Sequence, residues 1–334
     1  MRRRCLPLIL AAFFMFFVNA YAEDKAEGIF NAIVKVRATI PEHARTAQLL
    51  GTEREGNGVV IDGEGHVLTI GYLIVEAKSI EITGPDGKLV SATFVGYDYD
   101  SGFGLLRANK PLHVLPMKLG QSSEVKLGDP LVVAGHGGPE SVQGTQVVSR
   151  REFAGYWEYL LEDAIFTSPP YTNFGGAALI NRDGRLVGIG SLLTQVTIQG
   201  LGSLSANVFV PIDRLKPILG DLIAMGRSSQ PPKPWLGLFA EETHGRVIVI
   251  RVLPGGPAEQ ANLKPGDIIL KVGTQAVKGL ADFYRKVWAL GAAGVDVPLS
   301  VLQETWIRDI VVHSADRYPF FRLKPGTDVA ALYR

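Results

Sequence analysis

Short apolar or alternating runs, each closed by a turn-forming cluster, recur from Ile29 to about Val210 and leave no room for long helices. Gly58-Val59-Val60-Ile61, His66-Val67-Leu68-Thr69 and Leu131-Val132-Val133-Ala134 are such runs. Between them, Asp62-Gly63-Glu64-Gly65, Pro85-Asp86-Gly87 and Arg182-Asp183-Gly184 supply hairpin turn chemistry. The pattern predicts an all-β barrel or sandwich. With 334 residues there is room for a second domain, and 46% hydrophobic against 20% charged residues is the balance of a folded chain.

Helical spacing of Ile212, Leu215, Ile218, Leu219 and Leu222 predicts a helix over Pro211–Met225 that closes a first domain, residues 23–226. Gly226 and the proline-rich stretch to Pro234 then read as a linker, residues 227–234. The second domain, 235–314, carries predicted strands at Val247–Leu253, Ile268–Val272 and Pro298–Gln303 and a helix at Leu280–Leu290. Segment Val36–Glu55 reads as a surface loop. In the C-terminal tail, 315–334, the Tyr318-Pro319-Phe320-Phe321 patch either packs back on the body or is loosely held.

Met1-Arg2-Arg3-Arg4, the apolar run Cys5–Val18 and Ala20-Tyr21-Ala22 follow the order of a secretory signal peptide, residues 1–22, cleaved after Ala22. The alternative, an uncleaved anchor, is disfavoured because an apolar run of about 14 residues falls short of the roughly 20 that span a bilayer. No membrane span is expected after cleavage, and the localisation expected is periplasmic or otherwise exported. Cys5 is the single cysteine, so the mature chain has neither disulfide nor cysteine nucleophile. A net charge of +1 argues against nucleic acid as a partner. No metal-ligand spacing stands out, and no cofactor is expected.

Three segments of the first domain resemble, in order and spacing, those that hold the catalytic residues of HtrA-type (DegP-like) trypsin-fold serine proteases. They are Leu68-Thr69-Ile70-Gly71-Tyr72, Tyr97-Asp98-Tyr99-Asp100-Ser101-Gly102-Phe103-Gly104-Leu105-Leu106 and Thr172-Asn173-Phe174-Gly175-Gly176-Ala177. The resemblance puts Tyr72 in the histidine slot, Gly102 in the aspartate slot and Phe174 in the serine slot, so no catalytic residue is assigned. The triad mechanism needs a hydroxyl nucleophile, an imidazole to take its proton and a carboxylate to orient that imidazole. Asp98 and Asp100 lie near the aspartate slot, but a carboxylate two residues away in an extended segment sits one strand step, about 7 Å, from the required place. Thr167-Ser168-Pro169-Pro170-Tyr171 lengthens the approach to the serine slot and calls the oxyanion hole into question. A rival reading relocates the site to Ser168 or Ser191 with His136 or His66 as base.

The second domain resembles a PDZ domain of the HtrA type, with Trp235-Leu236-Gly237-Leu238 matching the carboxylate-binding loop and Val252–Ile269 the strand, turn, helix and strand that follow. The implied fold is mainly β: a chymotrypsin-like double β-barrel followed by a small α+β PDZ domain. The implied function is an exported pseudoprotease that binds peptides, protein C-termini or unfolded polypeptides as adaptor, sensor or holdase. Two further readings stay open: an active HtrA-class endopeptidase, and a non-catalytic scaffold in a homotrimer or a mixed HtrA-type oligomer. The groove is either open to peptides or closed by the Trp235 and Leu236 side chains packing against the barrel.

Overall fold

The structure, a computed structural model, describes residues 28–198 and 202–321. The expected signal peptide, residues 1–22, and residues 322–334 of the tail lie outside them.

Twelve strands form two closed six-stranded barrels. The first holds β1 (Ile33–Thr39), β2 (Glu53–Val60), β3 (His66–Ile70), β4 (Ser79–Thr83), β5 (Leu89–Tyr97) and β6 (Phe103–Ala108), with a one-turn helix α1 (Ala47–Leu50) between β1 and β2. The second holds β7 (Pro130–Ala134), β8 (Val142–Gly155), β9 (Tyr159–Ser168), β10 (Ala178–Ile180), β11 (Leu186–Ile198) and β12 (Gly202–Pro211). Closure removes every edge strand from both, the usual way for a short-stranded all-β unit to avoid open pairing sites. Segment Val36–Glu55, read from sequence as a surface loop, is a connection over residues 40–52 that carries α1, flanked by the ends of β1 and β2, which pair in register from Ile33 opposite Val59 to Thr39 opposite Glu53.

β3 is buried at all five positions, His66 included, because it lies between β2 and β6 and faces the second barrel. A single core runs through the interface, joining Leu68 and Ile74 of the first barrel to Tyr159, Ile189 and Val208 of the second. The predicted Pro211–Met225 helix splits into a 3₁₀ turn at Ile212–Arg214 and α2 (Leu219–Met225), which ends at Gly226 in the left-handed conformation.

The second domain is a sheet in the order β13 (Leu238–Thr243), β14 (Arg246–Val252), β15 (Ile268–Val272), β17 (Asp296–Gln303) and β18 (Trp306–His313), with β16 (Gln275–Ala276) beside β15. Short helix α3 (Pro257–Gln260) and the amphipathic α4 (Leu280–Trp288) cover it. α4 buries Leu280, Phe283, Tyr284 and Val287. Fully burying a side chain such as Phe283 contributes about 1.5–3 kcal/mol. Sheet order leaves β13 at the edge, next to the Trp235–Leu238 loop.

The last described element, α5 (Arg317–Phe320), packs back on the body. Trp235 and Ala315 exchange backbone hydrogen bonds at 3.1 and 3.0 Å, and the Trp235 ring lies against Phe320 and Phe321. Among the described residues, no helix is long and apolar enough to cross a membrane.

Candidate functional site

Two places carry the groups that sequence reasoning singles out: the cleft between the barrels and the groove between β13 and α4.

In the cleft, β3 ends in a 3₁₀ turn, Gly71–Leu73, that presents Tyr72. Its backbone is pinned from below by the buried Arg54, whose guanidinium donates to the carbonyls of Tyr72 (2.8 Å) and Val75 (3.1 Å). The Tyr72 hydroxyl donates to the Ser191 carbonyl at 3.0 Å, tying the first barrel to β11. Burial pushes that phenol further above neutrality, away from any use as a base.

Gly102 sits at the end of a tight turn with φ +84°, its N–H on the Asp98 carbonyl (2.8 Å) and its carbonyl accepting from Gly71 (2.8 Å). Asp98 is committed to that same turn. Its carboxylate accepts from the Ser101 N–H (2.8 Å) and hydroxyl (2.5 Å), and burial raises its pKa. Asp100 pairs with Lys233 at 3.2 Å. Neither carboxylate meets a histidine.

Phe174 is half-buried, in a loop held from beneath by Asn57. The fully buried Asn57 is the organiser of this region. Its backbone N–H donates to the Gly175 carbonyl (2.8 Å), and its side-chain amide donates to the carbonyls of Asn173 (2.8 Å) and Gly175 (3.1 Å). Its side-chain oxygen accepts from the His136 N–H at 2.8 Å. Gly176 follows with φ +73°, and a Cβ there would lie 1.9 Å from the Asn57 carbonyl oxygen. The Pro169–Tyr171 segment is fixed as well: the Pro169 carbonyl accepts from Gln143 and Thr145, and the Asn207 amide brackets Tyr171.

The residues of the relocated-site reading stand apart. Ser168 donates to the Ser205 carbonyl at 3.0 Å, His66 Nδ1 lies 2.6 Å from Asp62, and His136 Nε2 lies 3.3 Å from the Gly84 carbonyl. Among the described residues, no histidine nitrogen is hydrogen-bonded to a serine hydroxyl.

The groove of the second domain holds a residue that sequence reasoning missed. The tip of the β8–β9 hairpin, Gly155 to Glu158, lies between β13 and α4. The Glu158 carboxylate accepts the backbone N–H groups of Leu236 (2.8 Å), Gly237 (2.8 Å) and Leu238 (3.1 Å), three successive donors of the Trp235–Leu238 loop. Two residues along β13, the Ala240 N–H donates to the Tyr156 carbonyl at 2.9 Å. From the α4 side, the Tyr284 hydroxyl donates to the Gly155 carbonyl (2.8 Å) and accepts from the Glu158 N–H (3.2 Å). The Leu160 side chain joins the second domain's core.

Gly237 makes the loop possible. Its φ is +76°, and a Cβ would meet Pro257 Cδ at 3.2 Å. Trp235 and Leu236 are both buried, yet they do not block the groove. Trp235 stacks outward on the C-terminal aromatics, and the barrel residue that fills the loop is Glu158.

Burial pushes Glu158 up to about 7, against the three N–H donors and the nearby Arg317, which favour its charged form. Arg317 also donates to the Glu158 carbonyl (3.1 Å) and the Tyr99 carbonyl (2.8 Å). The hairpin tip, Gly155-Tyr156-Trp157-Glu158-Tyr159, carries three aromatics and one acid where an exposed turn ordinarily carries Asn, Asp and Gly. That was its one legible mark.

Residues 56–189 match the trypsin-like peptidase domain family and residues 234–313 the PDZ domain family. The chain is 27% identical over 261 residues to the periplasmic pH-dependent serine endoprotease DegQ of Escherichia coli, covering 74% of this chain and 56% of that protein. It is 28% identical over 243 residues to the serine protease PepD of Mycobacterium tuberculosis, covering 65% and 51% respectively. The chain thus spans little more than half the length of these relatives. Among solved structures, the HtrA-type protease AlgW with a decapeptide superposes with a TM-score of 0.51 at 20% identity, over 87% of this chain and 98% of that one.

Proposed function

The chain belongs to the HtrA family, a trypsin-like peptidase domain followed by one PDZ domain, and on that premise we propose that it is an exported pseudoprotease that binds protein chain ends. The reading rests on Tyr72, Gly102 and Phe174 standing, within two closed barrels, at the positions that the family resemblance assigns to the triad. None of the three can supply a nucleophile, a base or an orienting carboxylate near neutrality. The Tyr72 hydroxyl is further committed to the Ser191 carbonyl across the cleft.

What the protein retains is recognition. The Leu236, Gly237 and Leu238 amides converge on one carboxylate, and β13 lies at the edge of its sheet beside them. This is the arrangement by which a peptide's terminal carboxylate is held while its backbone extends a sheet. The periplasmic relative supports placement of the protein in the cell envelope, and exposed C-termini of other chains are ligands that match the cradle.

Treatment of the pure protein with a fluorophosphonate tests the reading. Intact mass should show no covalent adduct, and an unfolded casein substrate should remain uncut. An adduct abolished by Ser168→Ala or Ser191→Ala would restore the protease reading.

A further inference from the structure

The groove that would receive a chain end already holds a carboxylate from the same chain. We propose that the β8–β9 hairpin tip is a tethered ligand of the PDZ groove: Glu158 stands in for a peptide's terminal carboxylate and Tyr156 for its backbone, and external chain ends bind only by displacing them. The inference rests on the peptide-binding reading above, and it adds the regulation of that site.

Four observations on two faces of the groove agree. First, three consecutive loop amides bind both oxygens of one carboxylate, Oε2 on Leu236 and Oε1 on Gly237 and Leu238. A surface contact formed by chance uses one donor; this one uses the whole cradle, with charge-assisted bonds. Second, the strand edge is engaged through Ala240 and Tyr156. Third, the helix wall of the groove is engaged through Tyr284, which is itself buried. Fourth, Glu158 adopts φ +55°, so the tip turns its carboxylate into the loop in a conformation that few non-glycine residues adopt.

The rest of the interface is built to hold and to release. Arg285 of α4 pairs with Glu152 of β8 at the exposed rim. Arg45 of the first barrel reaches the Pro254 carbonyl at 2.8 Å and lies over the Phe320 ring at 3.8 Å. These are solvent-facing contacts of small individual worth, so the carboxylate cradle is the central element of the closed state. A ligand already folded into a hairpin loses little freedom on docking, whereas a free peptide must be ordered as it binds. The apparent affinity for an external end is therefore its intrinsic affinity multiplied by the fraction of molecules whose tip has left the groove.

Amide hydrogen exchange on the full-length protein tests the tether without any peptide. In the unmodified protein the Leu236, Gly237, Leu238 and Ala240 amides should be protected. In Glu158→Ala they should exchange at least tenfold faster, while Val249 and Val301 of the inner strands keep their rates. Equal protection of the four loop amides in both proteins overturns the proposal. If Glu158→Ala does not fold, Tyr284→Phe serves in its place, with a smaller rise expected and unchanged rates overturning the proposal. A second arm measures retention of a randomised decapeptide pool with free C-termini, and of the same pool amidated. Retention of the free-acid pool should rise at least tenfold in Glu158→Ala. Faster exchange with no retention of either pool supports the tether and overturns the peptide-binding reading instead.

Discussion

On the proposed reading, the interbarrel cleft and the PDZ cradle are closed to substrate by opposite routes. In the cleft, chemistry of the trypsin type rests on side chains that Tyr72, Gly102 and Phe174 do not supply, while Asn57 and Gly176 hold the surrounding backbone in place. In the cradle, recognition belongs to backbone N–H groups, which no side-chain change short of proline removes. Such a site is silenced by filling it, and Glu158 does that. Loss of side-chain chemistry is permanent on the timescale of the molecule; occupation is reversible.

Two glycines test how far that contrast extends into the frames themselves. Gly176→Ala would place a Cβ 1.9 Å from the Asn57 carbonyl oxygen, at φ +73°. Backbone would have to move, and a loss of about 4 kcal/mol or more is expected, read as a collapse of the denaturation midpoint. Gly237→Ala is strained at φ +76° but meets atoms only at 3.2–3.3 Å. It should cost about 1–2 kcal/mol and leave the barrels folded. Equal losses would show that both frames are equally rigid and would break the contrast.

The pH dependence comes next in size. Glu158 sits at about 7 in the docked state and returns to its ordinary value of 4.5 when released. The docked state therefore holds the proton more tightly. Its added stability is fully present below about pH 4.5 and is lost as pH rises through about 7. The groups facing Glu158 are the Arg317 guanidinium on α5 and the Tyr284 hydroxyl on α4, which burial pushes further up, away from this window. Retention of the free-acid peptide pool should fall roughly tenfold between about pH 7.5 and 5.5 in the unmodified protein and stay flat in Glu158→Ala. An equal fall in both proteins would separate the pH response from the tether.

The smallest effect is expected from Tyr284→Phe, which removes one donor and one acceptor at the hairpin tip but leaves the carboxylate cradle intact. Peptide retention should rise about threefold, the equivalent of one modest hydrogen bond. A rise as large as that of Glu158→Ala would move the weight of the interface from the loop to the helix.

Much of this was legible in the sequence. Alternating runs and Asp-Gly turns announced the barrels, and the spacing around Tyr72, Gly102 and Phe174 gave the slot assignment on which the proposed function rests. Trp235-Leu236-Gly237-Leu238 announced the cradle. The occupant was not legible, because Glu158 meets loop residues 78 to 80 positions away, across a domain boundary. Periodicity reports which face of a strand is buried, and it says nothing of which distant loop a hairpin tip will reach. Asn57 was hidden for a related reason. Its role is set by the loops at 136 and 173–175 that converge on it, and its own neighbours, Gly56 and Gly58, mark a close approach without naming the partner.

A carboxylate carried on the same chain has a local concentration that dilution cannot lower, roughly millimolar or above for short connections. Binding in the cell would then be shifted to higher concentration without becoming steeper. Half-occupancy is reached only where chain ends accumulate enough to outcompete the resident tip. Glu158 thereby sets the sensitivity of the protein, and its position on a hairpin makes that setting a property of the fold.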